Sequence, residues 1–274
     1  MSLMELQKGL IYGPVHSRRL GLSLGINLLP TNYKLCSFDC IYCQYGRTEL
    51  KALLVDERHF PYIDQVLLAI ESALQSDLSF DYLTFSGNGE PTLHPEFVDV
   101  VQEVASLRNQ YRPQVRLALL SNASTIHQPH IRQALKQIDL PILKLDAGDA
   151  LTFARINRPS PMVRLENILD GLRQLPGVTL QSMLIDGAVS NVRGQPYEDW
   201  LEALRVVQPR HIQIYSTDRP AAVPGVQRVP PEQLKRIAGE IARRIGAVVD
   251  VYWQGGSACF APTPGSPIAG VLVG

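Results

Sequence analysis

Asp81-Tyr82-Leu83-Thr84-Phe85-Ser86-Gly87-Asn88-Gly89-Glu90-Pro91-Thr92 is the stretch on which the reading of the fold turns. Its first six residues, rich in aromatic and strand-favouring side chains, predict a strand over 81–86. Two glycines and an asparagine then break regular structure. Beyond them Phe97, Val100, Val101 and Val104 fall at helical spacing and predict a helix over 95–108. The same succession of apolar strand, polar turn and amphipathic helix recurs on both sides. Upstream, a buried strand is predicted over 24–29, a long loop over 31–48, and a helix from Pro61 with Ile63, Val66, Leu67, Ile70 and Leu74 on one face. Downstream, strands are predicted over 115–120, 141–145, 178–185, 211–215 and 247–252. Helices are predicted over 130–137, 163–175, 197–207 and 231–245. From Gly255 the chain is rich in glycine and proline and reads as irregular.

Six strand–helix units in series predict parallel strands joined by right-handed crossovers. The expected class is α/β, a partial (β/α)6 TIM-like barrel with an irregular C-terminal tail. Residues 1–274 are read as one domain, with a barrel core over about 20–215. The remainder, 216–274, supplies a helix, a short strand and the tail. Such a sheet carries its function at the carboxyl ends of its strands. The unusual residues do fall there: the 31–48 loop, Gly87 to Thr92, Ser121 to Ser124, Lys144 to Asp149, Ile185 to Gly187 and Ser216 to Pro220.

At 274 residues, with 45% hydrophobic and 19% charged side chains, the composition is that of a globular protein with a substantial core. Lys plus Arg and Asp plus Glu number 26 each, which argues against a surface given over to nucleic acid. No apolar run is long enough for a bilayer, no signal-peptide pattern opens the chain, and the cysteines form no disulfide framework. A cytoplasmic protein without membrane contact is expected.

The predicted 31–48 loop holds Cys36-Ser37-Phe38-Asp39-Cys40-Ile41-Tyr42-Cys43, three of the four cysteines of the chain. A short loop that gathers three thiolates suits an iron–sulfur cluster better than a disulfide. Three thiolates on a four-iron cubane leave one iron open for chemistry, as in open catalytic metal sites. Spacing alone also permits a C-x-x-C redox pair at Cys40 and Cys43, or a zinc site completed by a distant ligand. Cys259 stands apart and reads as a plain thiol in a flexible tail.

Alternation along a strand puts Lys144 and Asp146 on one side, with Asp146 nearer the rim. They form either a buried ion pair or a functional one, since charge inside a barrel must be compensated or used. Arg158, in Ile156-Asn157-Arg158-Pro159, and Arg219, in Thr217-Asp218-Arg219-Pro220, are candidates to grip an anionic substrate group. Arg18, Arg19 and Arg47 flank the cysteine loop and suit the same work. Singly, each reads more readily as a surface arginine.

With Tyr42 directly before the third cysteine, the loop resembles the C-x3-C-x-(aromatic)-C signature of the radical S-adenosylmethionine (radical SAM) enzymes. Gly87-Asn88-Gly89-Glu90 resembles their G-G-E motif, with Asn88 in place of the second glycine. Gly13-Pro14-Val15-His16-Ser17-Arg18-Arg19, Gly87 to Pro95, Lys144 to Asp149 and Ile156 to Pro159 resemble a subgroup related to the wyosine-base synthases of tRNA. The chain lacks the further cysteines those use for a second cluster. The resemblance implies a [4Fe–4S] cluster on Cys36, Cys40 and Cys43. It implies S-adenosylmethionine bound by Tyr42, Gly87, Asn88, Gly89, Glu90, Ser121 and Asn122, although Asn122 equally suits a turn cap. Lys144 and Asp146 would be catalytic. The implied reaction is reductive cleavage to methionine and a 5′-deoxyadenosyl radical that takes hydrogen from a substrate. A reducing partner such as flavodoxin or ferredoxin is implied, and a small-molecule, peptide or RNA substrate stays open. A glycyl-radical activase, a wyosine-type tRNA enzyme and a non-catalytic cluster- or metal-binding protein are the alternatives.

Overall fold

The structure is a computed structural model and describes residues 3–262. Nine strands make its main sheet. They are β1 (Ile11–Ser17), β2 (Gly21–Asn27), β3 (Tyr82–Ser86), β4 (Arg116–Ser121), β5 (Leu140–Lys144), β6 (Thr179–Met183), β7 (His211–Tyr215), β8 (Val248–Trp253) and β9 (Gly256–Phe260). Between them run α1 (Ile63–Gln75), α2 (Phe97–Tyr111), α3 (Pro129–Leu135), α4 (Ala150–Ile156), α5 (Leu165–Arg173), α6 (Gly194–Val207) and α7 (Pro231–Ile245).

The order of strands in the sheet is their order in the chain. β2 through β8 are all parallel, while β1 and β9 close the two edges as antiparallel strands. A doubly wound sheet would reverse its order at some point; this one never does. Sequential order with one hand of crossover lays the helices along a single face. Accordingly α1 packs on α2, α2 on α3, α5 on α6 and α6 on α7. The architecture is the partial TIM-like barrel expected of the sequence.

Between sheet and helices lies the apolar core. Phe85 of β3 meets Phe97 of α2 edge-on at 6.0 Å, a favoured aromatic geometry. Trp200 of α6 is fully buried and donates its indole N–H to the Leu145 carbonyl at 3.1 Å. That bond anchors the turn leaving β5, where site residues follow.

Three features differ from the sequence reading. β1 is not among the elements expected from the sequence, and Gly13-Pro14 lies within it. It forms at a sheet edge, where the register slips around those residues and a missing N–H is tolerated. The short helix α4 was likewise not expected. The tail is not irregular from Gly255, since β9 pairs with β8 and sets Cys259 opposite Asp250. Cys259 therefore lies on an edge strand. Residues 263–274, the rest of that tail, lie outside the described residues. Among the described residues no helix is long and apolar enough to cross a membrane.

Candidate active site at the carboxyl rim

The glycine turn after β3 lies directly beneath the cysteine loop, and Gly89 is the reason. Its φ is +152°, and a Cβ there would sit 1.6 Å from the Leu35 carbonyl oxygen. Only a residue without a side chain lets the two backbones bridge at Leu35 and Gly89. Asn88 locks the same contact from within. Its carbonyl accepts from Leu35 N–H at 3.1 Å, and its side-chain amide donates to the Gln7 and Pro30 carbonyls. The side chain of Asn88 is thus spent on the scaffold, and what it offers a ligand is the shape of the turn.

Cys36, Cys40 and Cys43 line one cavity of about 280 Å3 together with Lys34, Tyr12, Tyr45, Gly87 and Gly89. Each sulfur already has a donor. Cys36 Sγ accepts from Phe38 N–H and Asn122 Nδ2 at 3.5 Å, and Cys40 Sγ from Asn157 Nδ2 at 3.5 Å. Cys43 Sγ accepts from Lys34 Nζ at 3.1 Å. Burial, followed by the nearby Asp146, pushes the Cys40 thiol up to about 11, and burial raises Cys36 as well. The Cys36 and Cys40 thiols therefore favour the neutral form; a bound metal would draw off their protons by its own charge. Among the described residues no three His, Cys, Asp or Glu side chains stand close enough to share one metal ion. Thiols set around a cavity, each with a hydrogen-bond donor, suit a multi-iron body that takes one thiolate per iron.

Glu90 is buried beside this cavity and gathers the ends of two strands. Its Oε1 accepts from Thr92 N–H (3.1 Å), Thr92 Oγ1 (2.7 Å) and Ser121 Oγ (2.8 Å). Among the described residues its Oε2 accepts only from Asn122 N–H, at 2.6 Å, which leaves a lone pair unused there. Burial raises the Glu90 pKa, against the pull of those donors. Ser121 therefore braces Glu90. Asn122 caps its own turn by accepting from Ser124 N–H at 2.9 Å and also reaches Ser37 and Cys36.

Asp146 follows the carboxyl end of β5, on the rim side of Lys144 as expected, and is covered there by Tyr42 and Asn157. Its side chain is fully buried, whereas that of Lys144 is 14% exposed. Asp146 accepts from Met183 N–H at 2.8 Å, Asn157 Nδ2 at 2.7 Å and the Tyr42 hydroxyl, and lies 3.4 Å from Lys144 Nζ. Burial opposes the Lys144 charge, but Asp146, Tyr215 and Cys40 together outweigh it and hold the ammonium above its ordinary pKa. Burial and Asp146 likewise push the Tyr42 hydroxyl well up, so it remains a donor. Lys144 also donates to the Tyr215 hydroxyl at 3.1 Å.

A second cavity of about 320 Å3 shares Tyr12, Tyr45, Ser86 and Leu120 with the first. Tyr12 forms their common wall because Gly25 leaves room for its ring; a Cβ there would lie 2.1 Å from it. The Tyr12 hydroxyl meets Ser86 Oγ, and burial pushes its pKa up to about 12. Arg18, Arg19 and Arg219 line this cavity beside Tyr215 and Asp218. Asp218 is engaged by Arg18 at 2.8 Å and Arg228 at 3.3 Å, and Arg19 lies over the Tyr215 ring at 5.0 Å. Arg158 does not line it. Its backbone turns left-handed (φ 45°), and its carbonyl accepts from Asp39 N–H and Lys51 Nζ. Arg219 and Arg158 thus do not face one cavity. A larger cavity, about 460 Å3, opens at the amino ends of β5 and β6, away from every cysteine.

Lys34, Asn157, Tyr12 and Tyr215 complete the site without having been singled out in the sequence. Asn157 adjoins Arg158 in the same Ile-Asn-Arg-Pro run. Lys34 left a fainter signal, as a lone cation two residues before the first cysteine. The tyrosines left none.

A family model described as the Radical SAM superfamily matches residues 33–188, more than half of the chain. A UPF0026 protein of Methanocaldococcus jannaschii is 38% identical over 59% of this chain and 48% of its own length. A UPF0026 protein of Synechocystis is 31% identical over 77% of this chain and 76% of its own length. The chain spans 35%, 48% and 50% of the length of three curated relatives it matches. Among solved structures, TYW1 with a lysine-pyruvate adduct bound superposes at a TM-score of 0.60 and 13% identity. That match covers 89% of this chain and 82% of the other, a likeness of fold.

Proposed function

The chain belongs to the radical SAM superfamily, and from this we propose that it is an enzyme that opens S-adenosylmethionine reductively and turns the product on an anionic substrate. The superfamily's cofactors are a [4Fe–4S] cluster and S-adenosylmethionine. The observation that carries the reading is the convergence of all three loop thiols on one cavity that shares a wall with a second, arginine-lined one. When bound, the two cofactors supply an electron and a 5′-deoxyadenosyl radical.

The residues have distinct parts. Cys36, Cys40 and Cys43 would hold the cluster. The unused lone pair on Glu90 Oε2 suits the methionine ammonium, and Gly87 and Gly89 let backbone carbonyls come close to it. Ser121 and Asn122 keep Glu90 in place. Tyr42, Asp146, Lys144 and Asn157 brace the loop against β5 and β6. Among the described residues neither Arg19 nor Arg219 has a carboxylate within ion-pair reach, so both are available to a carboxylate or phosphate. A low-potential donor of the flavodoxin or ferredoxin kind would deliver the electron.

The test is 5′-deoxyadenosine release from anaerobic protein with dithionite and S-adenosylmethionine, with carboxylate, phosphate and neutral compounds added in turn. Stimulation by anionic compounds that disappears in Arg19→Ala and Arg219→Ala, with unstimulated release intact, is expected. Stimulation by neutral compounds alone overturns the substrate class, and no release at all overturns the activity.

A further inference from the structure

We propose that Lys34 is a buried counter-charge to the iron–sulfur cluster that eases its reduction; this rests on the cofactor reading above. The Lys34 ammonium lies 3.1 Å from Cys43 Sγ and 2.8 Å from the Gly46 carbonyl oxygen. The residue is 3% exposed. Among the described residues no carboxylate comes within ion-pair distance of it, whereas the other cation of the site, Lys144, has Asp146 at 3.4 Å. An uncompensated ammonium in the interior is costly, and an anion beside it is the usual remedy. The anion in reach is the sulfur of a cluster ligand.

The backbone is placed for this task. Lys34 accepts from Leu50 N–H through its carbonyl, and its neighbour Leu35 is held by Asn88. The ammonium reaches both Cys43 and Gly46, within the turn that the Cys43 and Gly46 amides close. The three sulfurs are not treated alike. Cys36 and Cys40 receive neutral donors, from Phe38, Asn122 and Asn157. Cys43 receives a full positive charge. Reduction adds one electron from an external donor and no proton, so the cluster and its thiolates become more negative by one unit. A fixed cation at this distance, shielded from solvent, stabilises the reduced form more than the oxidised one.

The experiment compares anaerobically reconstituted wild type, Lys34→Met and Lys34→Arg for iron and sulfide content, midpoint potential and S-adenosylmethionine affinity. K34M is expected to load its cluster and lose at least tenfold in the equilibrium constant for reduction, 59 mV for a one-electron couple. K34R should stay near wild type. Loading in K34R but not K34M also supports the counter-charge, acting already at assembly. A fully loaded K34M with wild-type potential overturns the proposal. A shift in K34R equal to that in K34M overturns it too, as does loss of loading in both. Weakened cofactor binding in K34M at unchanged potential overturns it in favour of a cofactor contact. Wild type without a cluster would instead defeat the cofactor reading on which the proposal rests.

Discussion

Asp146→Asn tests whether the buried network after β5 holds the site together. Asp146 is fully buried and faces four groups: Lys144, Met183 N–H, Asn157 and Tyr42. The amide can still accept from Met183 N–H, but it leaves the Lys144 ammonium without its counter-charge. Removing one partner of a buried ion pair costs about 3–5 kcal/mol. At about 2–4 °C per kcal/mol for chains of this size, the melting temperature should fall by ~6–20 °C. Lys144 has its pKa raised by Asp146, so the pair's contribution is complete below the ordinary lysine value and fades only as alkaline pH passes the raised one. Thermal unfolding of the apoprotein at neutral pH thus measures the full effect. The decisive comparison is Lys144→Met with Asp146→Asn. With no stranded ammonium, the double variant should recover most of the lost stability, since apolar replacement of a buried pair is often neutral. A single variant within ~1 kcal/mol of wild type, or a double no better than the single, would refute the reasoning. Loss of both basal and substrate-stimulated 5′-deoxyadenosine release in parallel with melting temperature is expected. Loss of stimulated release alone, in a fully stable D146N, would return Asp146 to the substrate.

Replacing Cys36, Cys40 or Cys43 with Ala should abolish the cluster, while Cys259→Ala on the β9 edge should leave iron content and visible absorbance unchanged. Glu90→Gln should weaken S-adenosylmethionine binding by about ten- to a hundredfold, the worth of one charge-assisted hydrogen bond, with the cluster spectrum intact. Unchanged cofactor affinity in a calorimetric titration would move the methionine pocket elsewhere. Because burial raises the Glu90 pKa, cofactor affinity that needs its carboxylate should fall on acidification earlier than an ordinary glutamate would dictate. E90Q should lose that dependence. The sign for stability is the reverse: a raised folded-state pKa means Glu90 favours folding when protonated and ceases to as pH rises through it.

Much of the architecture could be read locally. Strand and helix periods repeat every two and 3.6 residues, and the six strand–helix units came out in register with the sheet. The exceptions are elements whose cause is not local. β1 carries a Gly-Pro pair and exists because β2 offers it an edge; β9 exists because β8 does. In the site, the three cysteines stand out by their clustering and Glu90 by the family motif its turn resembles. Arg158 was picked where its neighbour Asn157 makes the contacts with Cys40, Tyr42 and Asp146.

By itself the sequence determined the parallel α/β class, the placement of the unusual loops at the strands' carboxyl ends, and, through the cysteine loop, Tyr42 and the Gly87–Glu90 turn together, the likeness to the radical SAM family. Each of these rests on patterns local to the chain. Only the tertiary structure decided that Asp146 is buried among Lys144, Met183, Asn157 and Tyr42, that Asn88 serves the scaffold, that Lys34 faces the Cys43 sulfur, and that Arg219 keeps company with Arg19. Tyr42 and Asp146 are 104 residues apart, and Asn157 and Cys40 are 117 apart. Such meetings are set by sheet register and by where each loop turns, since a side chain's partners depend on what backbone passes within reach and not on its own neighbours in sequence.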